Sequence, residues 1–332
     1  MEIAFSPTSP GVVPSDLVDL TVEAERLDYR AAWLAEVAGP EAFALGGAIA
    51  AATTQMELGI AVVPAATRSP ALLAMAAGTM SGLLRGRTLA LGVGASSEII
   101  VRSWHDRDFA PPLGRVADSV RATRALLFGE RSYSGDTVTV DRFRLATPPS
   151  GRVRLFVGAL GVRMLRLAGE LGDGVCLNLM TANAVHRQLA EVKAGAAAVG
   201  RQVPDDFGVM ARFHVVVTDD PAEGRQVIRA GFGPYFAQPV YNSFLGWMGF
   251  AEEARAILKA FAAGDRAGVA AALHDDLIDE VALVGPPGRI RERLEEYADA
   301  GIGVGALGFL GSDTSGIATA LRALAPDRRS TP

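Results

Sequence analysis

The chain is poor in several things, and each scarcity removes a class of function. It has one cysteine, Cys176, so no internal disulfide can form and a reducing, cytoplasmic setting is expected. No two of its four histidines stand at metal-ligand spacing and Cys176 has no partner, so no metal site is expected. An uninterrupted apolar stretch of about 18 residues is missing, as is a basic start followed by an apolar run, so neither a membrane span nor a signal peptide is read. Basic excess is missing too: the net charge is −5, which gives no general attraction for nucleic acid or an anionic membrane. No G-x-S-x-G elbow is present, and the spacing after Gly94 lacks the third glycine of a dinucleotide fingerprint.

What is present is apolar residues in a regular rhythm. Of 332 residues, 49% are hydrophobic, enough for a large core. Short apolar runs alternate with amphipathic stretches throughout: 2–5, 31–34, 57–63, 88–93, 153–157, 175–179, 207–217 and 304–310 read as strands, with helices between them. Eight βα pairs predict a closed (β/α)8 TIM barrel rather than a doubly wound sheet. The rhythm breaks twice. Residues 133–140 alternate at period two after the fourth helix, and 221–274 form a long helical stretch, so insertions are expected after strands 4 and 7. No fixed repeat and no Pro- or Gly-rich linker divides the chain, so residues 1–332 are expected to form one domain.

In such a barrel the chemistry sits on loops after the strands' C-terminal ends. Gly158-Ala159-Leu160-Gly161 runs from a strand into a helix, where glycine lets backbone approach a ligand and free amides favour a phosphate; Arg163 could add a charged contact. The plainer reading is a glycine-bearing βα turn. Gly92, Gly94, Ser96 and Ser97 would let a flat ring lie against the mouth with two hydroxyls as donors, or form a tight turn. Glu36, at the end of the second strand, is a candidate proton donor or a helix-start carboxylate. His105, on the fourth loop, is a second candidate, whereas His186, His214 and His274 read as structural. Tyr235, Phe236, Tyr241, Phe244 and Trp247 either roof a pocket or pack helices together, and packing is the preferred reading.

Three stretches, Leu58 to Pro70 (LGIAVVPAATRSP), Gly86 to Gly94 (GRTLALGVG) and Gly158-Ala-Leu-Gly161 through Leu171-Gly-Asp-Gly174, resemble the luciferase-like monooxygenase superfamily. The segment around Thr67, the Ser96-Ser97 loop ending in Trp104-His105, and YFAQPVYNSFLGWMGF at 235–250 are most similar to its deazaflavin-dependent branch, typified by methylenetetrahydromethanopterin reductase. The resemblance implies coenzyme F420, its ring in the barrel mouth and its phosphate near Gly158 to Gly161. It also implies a non-prolyl cis peptide at Ala61-Val62 that presses on the ring, and a homodimer acting on a small molecule. One departure is visible: relatives often carry an Asp or Asp-His pair after the second strand, where Glu36-Val37 stands here, which leaves the proton source and substrate class open. An FMN-dependent monooxygenase using oxygen and a barrel that holds cofactor without turnover are the alternatives.

Overall fold

The computed structural model describes residues 1–326. The strand periodicity becomes eight parallel strands, Glu2–Phe5 (β1), Ala31–Leu34 (β2), Glu57–Pro64 (β3), Leu89–Gly94 (β4), Val153–Gly158 (β7), Gly174–Asn178 (β8), Gly208–Val217 (β9) and Val304–Phe309 (β11). They pair in that order, and β11 pairs with β1, which closes the barrel. Two-residue strands Tyr133–Ser134 (β5) and Thr139–Val140 (β6) form the antiparallel hairpin that the period-two pattern announced.

Outward residues of each strand, such as Leu58, Leu91, Val157, Leu177 and Phe213, join the main core beneath the ring of helices. Those helices are Pro14–Arg26 (α1), Ala42–Ala52 (α2), Pro70–Leu84 (α3), Pro112–Leu127 (α4), Val162–Leu171 (α5), Ala182–Ala198 (α6), Pro287–Asp299 (α12) and Thr314–Ala323 (α13). Proline opens α1, α3, α4 and α12, where a missing amide hydrogen costs nothing.

Inward residues form a separate core of Ala4, Ala31, Trp33, Ala90, Phe156, Cys176, Met210 and Ala306. Trp33 and Phe156 meet edge to face at 5.5 Å and fill most of that layer. Their neighbours are correspondingly small: a Cβ on Gly59 would overlap the Trp33 ring, and one on Gly174 or Gly208 would overlap Phe156. Large rings set against glycines pack the inward layer and form the floor of the mouth above them.

The stretch after β9 resolves into five helices, Pro221–Phe236 (α7), Pro239–Met248 (α8), Ala251–Ala262 (α9), Arg266–Ala272 (α10) and Asp275–Val281 (α11). They enclose their own apolar cluster around Phe232, Phe236, Leu245, Ile257 and Leu277. A ninth parallel strand, Leu283–Gly285 (β10), was not foreseen, because three residues are too short to show a period. It pairs with Val215 to Val217 on the edge of β9 that β8 occupies lower down, and so lies outside the closed ring. The loop after β4 carries a six-residue π-helical segment, Ile99–Trp104, also unforeseen.

Candidate functional site

The mouth is built from inward-facing positions near the C-terminal ends of the strands. Period-two alternation places Ala61 and Val62 there from β3, Gly92 and Gly94 from β4, Gly158 from β7, and Cys176 and Asn178 from β8. Arg212 and His214 follow from β9, counted in steps of two from inward Met210, and Ser6 from the end of β1, counted from Ala4. These positions divide into two arcs of opposite chemistry.

The first arc has almost no side chains. The peptide between Ala61 and Val62 is cis, where the resemblance implied it, and the β3–β4 register slips between Ile60 and Val63. Both Ala61 and Val62 consequently pack with the inward core. Val62 reaches across three glycines: a Cβ would sit 2.9 Å from a Val62 methyl at Gly92 and at Gly158, and 2.5 Å from one at Gly94. At Gly92 it would also collide with the Ile60 carbonyl. The result is a bare patch of backbone beside one branched apolar side chain, shaped for a flat ligand.

The expected turn from Gly158 continues this arc. The Ala159 amide donates to the Cys176 carbonyl at 3.0 Å, and Leu160 packs against the main core. Gly161 then caps α5 without a side chain, and a Cβ there would face open space. The amides of Gly161, Val162 and Arg163 have no protein acceptor among the described residues, and the Arg163 side chain is exposed. An uncapped helix start beside an arginine suits an anion. Ser96 takes a left-handed backbone at φ 61°, Ser97 Oγ accepts from the Ile100 amide at 3.4 Å, and Thr67 Oγ1 donates to the Pro64 carbonyl at 3.1 Å. These three shape the loops, and all are half-buried.

Glu36 lies at the outer edge of this arc and is already engaged. Its Oε1 accepts from Arg68 Nε at 3.3 Å, and its Oε2 accepts from Arg68 Nη2 at 2.8 Å and from the Ala42 amide at 3.2 Å. Arg68 also pairs with Glu41, the capping residue of α2. Burial works against the Arg68 guanidinium, but its hydrogen bond and charge contacts with Glu36 and Glu41 outweigh this and raise its pKa. Both Glu36 oxygens therefore act as acceptors, tying the loop after β2 to the loop after β3. His105 ends the π-helical segment with its side chain exposed.

The second arc is polar, and sequence reasoning missed it. His214 is 4% exposed; its Nε2 lies 2.9 Å from Asn178 Oδ1 and its ring 4.4 Å from that of Phe232. Burial, with help from the Arg212 charge, pushes its pKa well below the usual histidine value. The ring is thus neutral. With Asn178 Oδ1 accepting, Nε2 carries the hydrogen, and the buried Nδ1 keeps a lone pair with no partner among the described residues. Beside it, Arg212 Nη2 donates to Thr8 Oγ1 at 2.7 Å, and Thr8 lies 3.2 Å from Ser6 Oγ. Arg212 Nε is buried with no partner among the described residues. Burial lowers its pKa, opposed in part by electrostatic contact with the Tyr235 and Tyr241 hydroxyls. Burial holds Tyr241 protonated, pushing it up to about 12.

The aromatic run after β9 splits accordingly. Phe236 and Phe244 are buried packing residues, whereas Phe232, Tyr235 and Tyr241 form a chain of ring contacts leading from His214. The available signal was an arginine and a histidine two residues apart near the C-terminal end of an otherwise apolar strand, which puts both on the inward face.

A closed barrel whose mouth joins a bare backbone platform to an uncapped helix start has the shape and the donors that suit a flat, phosphorylated ligand. The sequence model of the luciferase-like monooxygenase family matches residues 2–303, and the chain belongs to that family. It is 30% identical over 264 residues to the 5,10-methylenetetrahydromethanopterin reductase of Archaeoglobus fulgidus, covering 76% of this chain and 77% of that one. Among solved structures, the coenzyme F420-dependent tetrahydromethanopterin reductase of Methanopyrus kandleri superposes with a TM-score of 0.80 at 18% identity, covering 98% of both chains. An F420-dependent secondary alcohol dehydrogenase in complex with an F420-acetone adduct gives 0.79 at 18% identity over 98% of this chain and 99% of that one.

Proposed function

We propose that the protein is an F420-dependent oxidoreductase that moves a hydride between the deazaflavin and a small organic substrate. The observation that carries this reading is Val62 poised over Gly92, Gly94 and Gly158, a cradle that any added Cβ would fill. The relatives named above, which are F420-dependent or pterin-reducing, support it. When bound, the coenzyme supplies the two-electron carrier. The chain's own residues do the rest: the glycine arc and Val62 support one face of the ring, and the amides of Gly161 to Arg163 with the Arg163 side chain receive the phosphate. The inward aromatic floor of Trp33 and Phe156 keeps water from beneath the ring.

Absorbance and fluorescence titration tests the reading. F420 is expected to bind at micromolar concentration and FMN far more weakly; FMN retained through purification would overturn it in favour of the oxygen-using alternative.

The same reading takes a second copy of the chain as partner, over the outer faces of α2 and α3. Neither helix contains an acidic or basic residue, and Leu72, Met75 and Leu83 stand exposed. Sedimentation is expected to give a dimer that Met75→Glu dissociates; a wild-type monomer at micromolar concentration would remove the idea.

A further inference from the structure

Arg212 is a cation that the protein leaves uncompensated. It takes part in none of the ion pairs among the described residues, its one side-chain hydrogen bond goes to the Thr8 hydroxyl, and its buried Nε has no acceptor. The neighbouring strand offers Asn178 in register with it, where an aspartate would have neutralised it. On the other side Gly308 leaves room: a Cβ there would lie 3.6 Å from Arg212 Nε and Nη2. A buried charge without a counter-charge is costly, and a protein keeps one where a ligand completes the pair. Two residues on along the same inward face of β9, the buried Nδ1 of His214 is likewise unpartnered among the described residues, and its ring meets Phe232 and, through it, Tyr235 and Tyr241.

We propose that this arc is the substrate subsite and that it recognises a carboxylate, held by Arg212, on an acceptor with an apolar or aromatic body. A guanidinium matches a carboxylate in shape as well as charge, and Nε with the free hydrogens on Nη1 offers donors in one plane. His214 Nδ1 accepts a hydrogen bond from a hydroxyl or N–H next to the carboxylate, with Asn178 fixing which ring nitrogen carries the hydrogen. The inference rests on the proposed function for calling the ligand a substrate, but the anion pocket itself does not need the coenzyme.

Benzoate and its neutral counterpart benzamide test it, each titrated calorimetrically into the protein with and without F420. Benzoate is expected to bind saturably and benzamide at least about tenfold more weakly, the usual discrimination when a charged hydrogen bond is lost. Arg212→Gln should abolish the preference, and Asn178→Asp should do the same while keeping Arg212, by supplying a carboxylate from within. F420 affinity should be unchanged in Arg212→Gln. Equal binding of both probes, no benzoate binding in either state, or benzoate binding that survives both substitutions overturns the proposal. So does an Arg212→Gln protein that loses F420 affinity but not benzoate, since Arg212 would then serve the coenzyme. If F420 fails to bind the wild type while benzoate binding depends on Arg212, the oxidoreductase reading falls and the anion pocket stands.

Discussion

The two arcs of the barrel mouth solve opposite problems. On the β3–β4–β7 side the chain removes side chains, and shape alone is offered: three glycines under one valine. On the β8–β9 side it installs polar groups and leaves some of them unsatisfied, Arg212 Nε and His214 Nδ1 among them. The first arc stabilises the fold as well as the site, because its surfaces are already in contact. The second carries groups that weaken the fold until something binds. Binding surfaces of a constant ligand can be pre-packed in this way, whereas groups that meet a reacting partner must stay open.

The sharpest way to break the comparison is Gly92→Ala. Its methyl would meet the Ile60 carbonyl as well as Val62 and the Cys176 sulfur, so no side-chain rotation relieves it. Overpacking of this kind costs about 1–3 kcal/mol, and F420 affinity is expected to fall by about 100-fold or more by titration. Gly94→Ala meets only Val62 and the distant Gly158, so Val62→Ala in the same chain should restore its melting temperature. If Gly92→Ala binds F420 normally, the bare arc is not the ring platform.

Glu36→Gln asks whether an engaged carboxylate can also be a proton donor. The pair with Arg68 is mostly shielded from solvent, with side-chain exposures of 13% and 16%, so losing its charge should cost about 1–3 kcal/mol in urea unfolding. If Glu36 is an anchor, kcat stays within a few-fold once the protein is folded. A loss of about 100-fold or more in kcat would restore it as the acid.

Arg212→Met should act in the opposite sense. Exchanging an unpaired buried cation for an apolar chain of similar length is expected to raise stability by about 1–2 kcal/mol while abolishing carboxylate recognition. A destabilised Arg212→Met protein would mean that Arg212 is a structural residue, and the contrast between the arcs would lose its second half.

How much of this was legible follows the same division. The barrel was readable because eight short apolar runs alternate with amphipathic stretches along the whole chain, and the glycine arc because a run such as Leu-Gly-Val-Gly in a strand marks a place where something approaches the backbone closely. Arg212 and His214 carried a weaker mark. Their meaning depends on which face of β9 looks inward and on Asn178, 34 and 36 residues away in sequence, arriving beside them. Strand β10 and the π-helical segment were illegible for a local reason: each is shorter than the window that periodicity needs.

His214 also sets a pH dependence. Its folded-state pKa is depressed by burial and by Arg212, so the unfolded chain takes up a proton first as pH falls. Stability from this residue is therefore intact above about 6.5, the unfolded value, and is lost below it with a slope of at most about 1.4 kcal/mol per pH unit. Titratable groups facing it are Arg212 on its own strand and, beyond Phe232, Tyr235 and Tyr241 on α7 and α8; burial pushes the Tyr241 phenol up to about 12, far above this range. His214→Gln should flatten the melting-temperature profile between pH 5 and about 6.5, and an unchanged profile would assign that slope to other groups.

The smallest effect is expected at His105. Its ring is exposed at the end of the π-helical segment, with Trp104 before it also 53% exposed. Substitution of such a residue by alanine should change stability by no more than about 0.5 kcal/mol. Steady-state kinetics should show kcat within about twofold of wild type, because a general acid contributes about 100-fold or more only from hydrogen-bond distance of the reacting atom. A loss of that size in His105→Ala would require the segment after β4 to fold inward when substrate binds. The bare arc would then acquire a polar group of its own, and the division between a pre-packed half and an open half would describe only the resting mouth.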